Sequence, residues 1–95
     1  MTCLKRRNAD RIALATKARE GIRQWAAIHA GLAASVNQGL AALGQLLDTA
    51  TASVRSGDIA SRIDAQQQLN EFTLESPNAI AAEPNDIARK AVDAI

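Results

Sequence analysis

The chain reads as an all-α fold: a long N-terminal helix folded back as a helical hairpin with a second helix, then a short amphipathic C-terminal helix. Three observations predict this. Alanine, leucine, glutamine and arginine dominate, while valine, threonine and aromatic residues are sparse, a balance that favours helix over strand. No alternating apolar–polar run is long enough for a strand. Large side chains recur at helical spacing between Ile22 and Val54, and no proline occurs before Pro77.

Taken in order, residues 1–8 read as a basic N-terminal arm, and 9–95 as a single helical domain. Asn8 is the expected N-cap of a helix over 9–56, with Asp10 favourable in its first turn. Its apolar seam runs through Ile22, Trp25, His29, Leu32, Val36, Leu40, Leu43, Leu47, Ala50 and Val54. The steps are threes and fours, with an additional step of four at Val36–Leu40 that resembles a coiled-coil stutter. The opposite face carries Ala27, Ala30, Ala34, Asn37, Gln38, Ala41, Gln45 and Asp48 and no large aliphatic. Such a helix would be roughly 70 Å long at 1.5 Å per residue. Gly31 is the favoured place for a kink, but the seam runs through it in register, so continuity is expected.

Ser56-Gly57-Asp58 is the clearest stop: Gly57 suits a left-handed C-terminal position and Asp58 an N-cap. A second helix over 58–75 follows, with Ile59, Ile63, Leu69, Phe72 and Leu74 on its apolar arc. Ser76-Pro77 opens a short helical segment over 77–83, which Pro84 is expected to end. A last amphipathic segment over 85–95 places Ile87, Ala88, Ala91, Val92 and Ile95 opposite Asp86, Arg89 and Asp93.

The apolar side chains are mostly small. Twenty-one residues are alanine, and Trp25 and Phe72 are the only aromatics. Alanine burial contributes little transfer free energy, so a chain of this length is expected to be marginal alone and to gain from partner helices. The seam residues Ile22, Trp25, His29, Leu32, Val36, Leu40, Leu43, Leu47 and Val54 are therefore the expected assembly surface. Gly31, Ser35 and Gly39 form a ladder of small residues suited to close helix approach.

The formal charge of +1 hides an asymmetry. Residues 1–23 hold Lys5, Arg6, Arg7, Arg11, Lys17, Arg19 and Arg23 against Asp10 and Glu20, whereas 24–95 hold four cations against eight acids. A dipole of this kind suits head-to-tail or antiparallel self-association, or an anionic partner at the N-terminal end. Nucleic acid is one such partner, and the seven cations would supply the phosphate contacts. They scatter around the helical wheel, however, and no aromatic is interleaved for base stacking.

The composition argues against catalysis. There is one histidine, one cysteine, no tyrosine and no glycine-rich phosphate loop. No carboxylate lies within a helical turn or so of His29 to orient it as a base, and Cys3 with His29 is too small a set for a metal. No catalytic, cofactor-binding or metal-binding residue is expected. The single Cys3 rules out an intrachain disulfide and fits a reducing compartment. The basic start lacks the apolar run of a secretory signal, so the expected place is the cytoplasm or the inside of a large assembly. A membrane or pore-forming role rests on the charge-free stretch Gln24–Leu47, which is long enough to span a bilayer but is interrupted by Gln24, His29, Asn37, Gln38 and Gln45.

In size the chain is similar to small helical proteins of secretion systems, but Trp25-Ala26-Ala27 stands where their hairpins carry a Trp-x-Gly turn. The alanine- and glutamine-rich long helix is similar in texture to granule-coating phasins and to small structural proteins of bacteriophage particles. That likeness implies a structural, non-catalytic subunit, either a homo-oligomer or a partner of another helical protein, and transfers no site residue.

Overall fold

A computed structural model describes residues 3–34, 36–72, 74 and 82–94, leaving aside the side chains of 3–6, 33, 82 and 94. Every regular element among them is helical: α1 (Cys3–Ile28), α2 (Ala30–Ala33), α3 (Asn37–Ser56), α4 (Ile59–Glu71) and α5 (Ala82–Ala94). The fold class is the expected one. The long helix, however, is not continuous.

The helix expected over 9–56 begins earlier, at Cys3, and divides at His29 and again at 34–36. The basic arm is thus helical from Cys3 onward, as Leu4-Lys5-Arg6-Arg7, all good helix formers, allow. Asn8 caps nothing; its Oδ1 accepts a hydrogen bond from Arg11 Nη1 at 3.2 Å within the helix.

The first break has a local cause. His29 adopts φ −107°, ψ 42°, and its Nδ1 donates to the carbonyl oxygen of Trp25 at 3.1 Å. The same carbonyl accepts the His29 backbone N–H at 3.0 Å, so the imidazole adds a second bond to it at the last residue of the helix ladder. The imidazole also stacks on the Trp25 indole, with ring centroids 4.8 Å apart. The single turn α2 follows, and Val36 at φ −124°, ψ 12° then restarts the chain as α3. His29, Gly31, Val36, Asn37 and Gly39 all have modest helix propensity, so the interruption costs little locally. Gly31 itself lies inside α2 with ordinary backbone angles.

What the interruption makes possible is a fold-back. α1 and α3 run antiparallel, registered by Arg19 Nε and Asp48 Oδ1 at 3.4 Å. The two halves of the seam thereby face one another. Ile22, Trp25, Val36, Leu40, Leu43, Leu47, Ala50 and Val54 are all buried in one core with Ala65, Leu69, Leu74, Ala88, Ala91 and Val92. Each fully buried large aliphatic contributes roughly 1.5–3 kcal/mol relative to exposure. That gain explains why the chain folds on itself: an isolated rod would leave its whole seam wet.

The α3–α4 turn forms as the sequence predicts. Gly57 sits at φ 76°, and its N–H donates to Ser53 O. Asp58 caps α4, accepting from Ser61 N at 3.2 Å and from Ser61 Oγ at 2.7 Å. These hydrogen bonds favour the charged carboxylate and hold its pKa below the ordinary aspartate range. α4 turns its Ala65–Leu69 side inward, so Ile59 and Ile63, expected on the apolar arc, remain 61% and 55% exposed. The small Ala65 is the buried residue nearest them in sequence, and an alanine allows α3 and α4 to approach closely. α4 ends at Glu71, with Phe72 extended, short of the expected 75.

Most of the segment expected over 77–83 lies outside the described residues. The expected stop at Pro84 does not occur: Pro84 is buried in the first turn of α5. The first-turn N–H groups have no intrahelical acceptor, so proline loses no hydrogen bond there, and its fixed φ suits the helix. α5 runs antiparallel to α4, with Gln66 Nε2 donating to Val92 O and Arg89 Nη2 to Phe72 O. Its Ile87 packs beside Gly21 of α1. The result is an up-down-up-down arrangement of α1, α3, α4 and α5, measuring 46 × 22 × 16 Å.

Candidate interaction surfaces

The seam assigned to assembly is occupied by the fold's own core. Of its nine residues only His29 and Leu32 retain substantial exposure, as half-buried side chains at the α1–α3 corner. Within the single chain the stripe closes against its own other half. The small-residue ladder does not form one surface either. Gly31 faces open space, and Ser35 lies outside the described residues. Gly39 meets Leu74 so closely that a Cβ there would collide with its methyl group.

The N-terminal cations part company. Arg19 and Arg23 border an open groove of about 690 Å³ between α1 and α3, which Asp48, Thr51 and Arg55 also line. Arg19 pairs with Asp48, and Arg23 lies 3.9 Å from Glu20. Lys17 borders a second groove of about 390 Å³ between α1 and α5, with Leu14, Gly21, Ile87 and Lys90. Arg7 is exposed and Arg11 half-buried, and the side chains of Lys5 and Arg6 lie outside the description.

Two cations from residues 24–95 join the basic end. Extending the Arg19–Asp48 register places Ser56 opposite Arg11, so the end of the bundle is made by the α1 N-terminus, the α3–α4 turn and the α5 C-terminus. Arg55 and Arg62 flank that turn. Arg7, Arg11, Arg55 and Arg62 thus stand toward that end with Asp10, Asp58, Asp64 and Asp93, and Lys17 and Lys90 lie about a turn further in. Toward the opposite end Glu71, Glu83 and Asp86, all exposed, stand with Arg23 and Arg89. The fold therefore converts an uneven charge distribution along the chain into a polarity along the bundle.

Four large apolar residues are exposed, and one of them, Leu14, lines the groove between α1 and α5. Ile59 and Ile63, one turn apart on α4, lie at the basic end, and Ile28, 77% exposed, lies at the α1–α2 corner of the acidic end. α1 also starts about eight residues before the level of the α3–α4 turn, an overhang of about 12 Å.

Among the described residues no group of three or more His, Cys, Asp and Glu side chains could hold a metal. His29 is engaged with Trp25 through both its ring face and its Nδ1. Among the described residues the buried Trp25 Nε1–H meets no acceptor. No helix among the described residues is long and apolar enough to cross a membrane, and the charge-free stretch 24–47 is broken at the corner. In comparisons with known proteins, no family model matches the chain, and no curated protein or solved structure shows significant similarity to it.

Proposed function

We propose that this protein is a non-catalytic helical assembly module, a structural subunit of a larger complex such as a phage particle or a secretion-type assembly. One observation carries the reading: the bundle completes its own core yet keeps large isoleucines exposed at two oppositely charged ends. A folded unit whose exposed apolar side chains sit beside concentrated charge is suited to association through those places.

The test is absolute mass by light scattering over a dilution series at two salt concentrations. Mass that rises with concentration supports the reading. A strict monomer throughout removes self-assembly. A nucleic-acid role is the second reading, favoured by the convergence of Arg7, Arg11, Arg55 and Arg62 on one end. It predicts salt-dependent retention of DNA or RNA that weakens when Arg55 and Arg62 are replaced.

A further inference from the structure

We infer that two copies of this chain pair antiparallel across the groove between α1 and α5, with the twofold axis passing Gly21. The inference rests on the assembly reading and names its partner and its contact. Leu14 and Ile28 stand one heptad before and one heptad after Gly21 in the unbroken helix α1, so the three share a stripe with Lys17 and Gln24. That stripe lies outside the core. Leu14 is 46% and Ile28 77% exposed, and Leu14, Lys17, Gly21 and Gln24 border the same open groove, with Ile87 and Lys90 on its α5 side.

The symmetry of the stripe makes the partner a second copy. When two such stripes cross antiparallel at Gly21, Leu14 of each copy meets Ile28 of the other. The crossing thereby covers two of the four large apolar residues exposed among the described residues. Gly21 suits the crossing point: apart from Ile87, no neighbouring element comes within 4 Å of the place a Cβ would take. Charge agrees with the same operation. α5 passes Gly21 at Ile87, and Glu83, Ile87 and Lys90 share one stripe of α5 by spacings of four and three. Lys17 and Lys90 lie on one side of that level and Glu83 on the other. A half-turn about it sets each copy's Lys90 beside the other copy's Glu83. Glu20, which also borders the groove, stands next to the crossing and lies 3.9 Å from Arg23. A parallel pairing would instead bring the lysines of both copies to one level and the glutamates to another.

Size sets the strength. The stripe from Leu14 to Ile28 spans about 21 Å, and a face two helices wide gives about 400 Å² per copy. A standard stable interface buries roughly 800 Å² per partner, so this dimer is weak.

Crosslinking at the axis and charge exchange across it test the geometry in the full chain. A residue on a twofold axis faces its own copy, so Gly21→Cys, with Cys3→Ser removing the native thiol, places two thiols within disulfide reach. Gln45→Cys in the same background, exposed on α3, is the control. Under mild oxidation the Gly21→Cys dimer should form at least about tenfold faster than the control dimer. By sedimentation velocity, Glu83→Lys and Lys90→Glu should each associate at least about tenfold more weakly than wild type, and the double variant should recover association because each contact again joins unlike charges. Helical circular dichroism confirms that every variant is folded. Equal crosslinking rates, or charge variants that match the wild type, overturn the pairing; if the wild type still gains mass with concentration, the assembly reading stands through another surface. A wild type that stays monomeric at every concentration overturns the pairing and self-assembly together.

Discussion

Replacing Leu43 by alanine tests whether the seam is an internal core or a surface shared between chains. Leu43 lies at the centre of α3, is 1% exposed, and packs in the cluster that includes Ile22, Leu47 and Leu69. Removing its isobutyl branches forfeits about 2 kcal/mol of transfer free energy, and the cavity left in a closely packed bundle adds to this, for a total of about 3 kcal/mol within the range for buried Leu→Ala changes. In a domain of this size that corresponds to a fall in Tm of about 12–24 °C. Thermal unfolding followed by circular dichroism measures the difference, repeated across about a hundredfold dilution because intersubunit stabilisation follows mass action. An internal seam keeps the difference between variant and wild type unchanged on dilution. A seam between chains makes it vanish, because the dissociated wild type would have nothing to lose. A loss below about 1 kcal/mol, or one that disappears on dilution, would refute the fold-back. Gln45→Ala, on the exposed face of the same helix, should change stability by less than about 0.5 kcal/mol and serves as the control.

Three further outcomes follow from local geometry. Gly57→Ala should destabilise by about 1 kcal/mol because its φ of 76° is strained for an L side chain, whereas Gly31→Ala, in a helical turn facing open space, should stabilise by about 0.5–1 kcal/mol; denaturant midpoints of the pair read both signs. Asp58→Ala should lower Tm at neutral pH, and the difference from wild type should shrink as pH falls through the carboxylate range. The folded pKa is depressed, so the capping contribution is present above the unfolded value and lost as the folded group protonates; Tm measured from pH 7 down to strongly acid conditions decides it. His29→Ala should cost about 1 kcal/mol by removing the Trp25 stack and the Nδ1 bond to its carbonyl, and urea unfolding monitored by Trp25 fluorescence should show it.

Helical class, the α3–α4 turn and the amphipathic C-terminal segment were legible in the sequence because each depends on neighbours a few residues apart. Composition disfavours strands. Gly57 and Asp58 act through local backbone geometry, and Ala88, Ala91 and Val92 share one face by spacing alone. The spacing at Ile22–Val54 likewise identified most of the buried residues there, His29 and Leu32 excepted. It left open what buries them, because periodicity is identical whether a stripe meets another chain or its own continuation. Tertiary packing decided that, through a break at His29 with no proline and no positive-φ glycine to announce it. Packing also decided which face of α4 turns inward, leaving Ile59 and Ile63 outside, and which cations share an end. Arg55 and Arg62 meet the N-terminal helix only because two reversals of direction return them there, and charge that is separated along the chain acts together once the fold brings it within electrostatic reach.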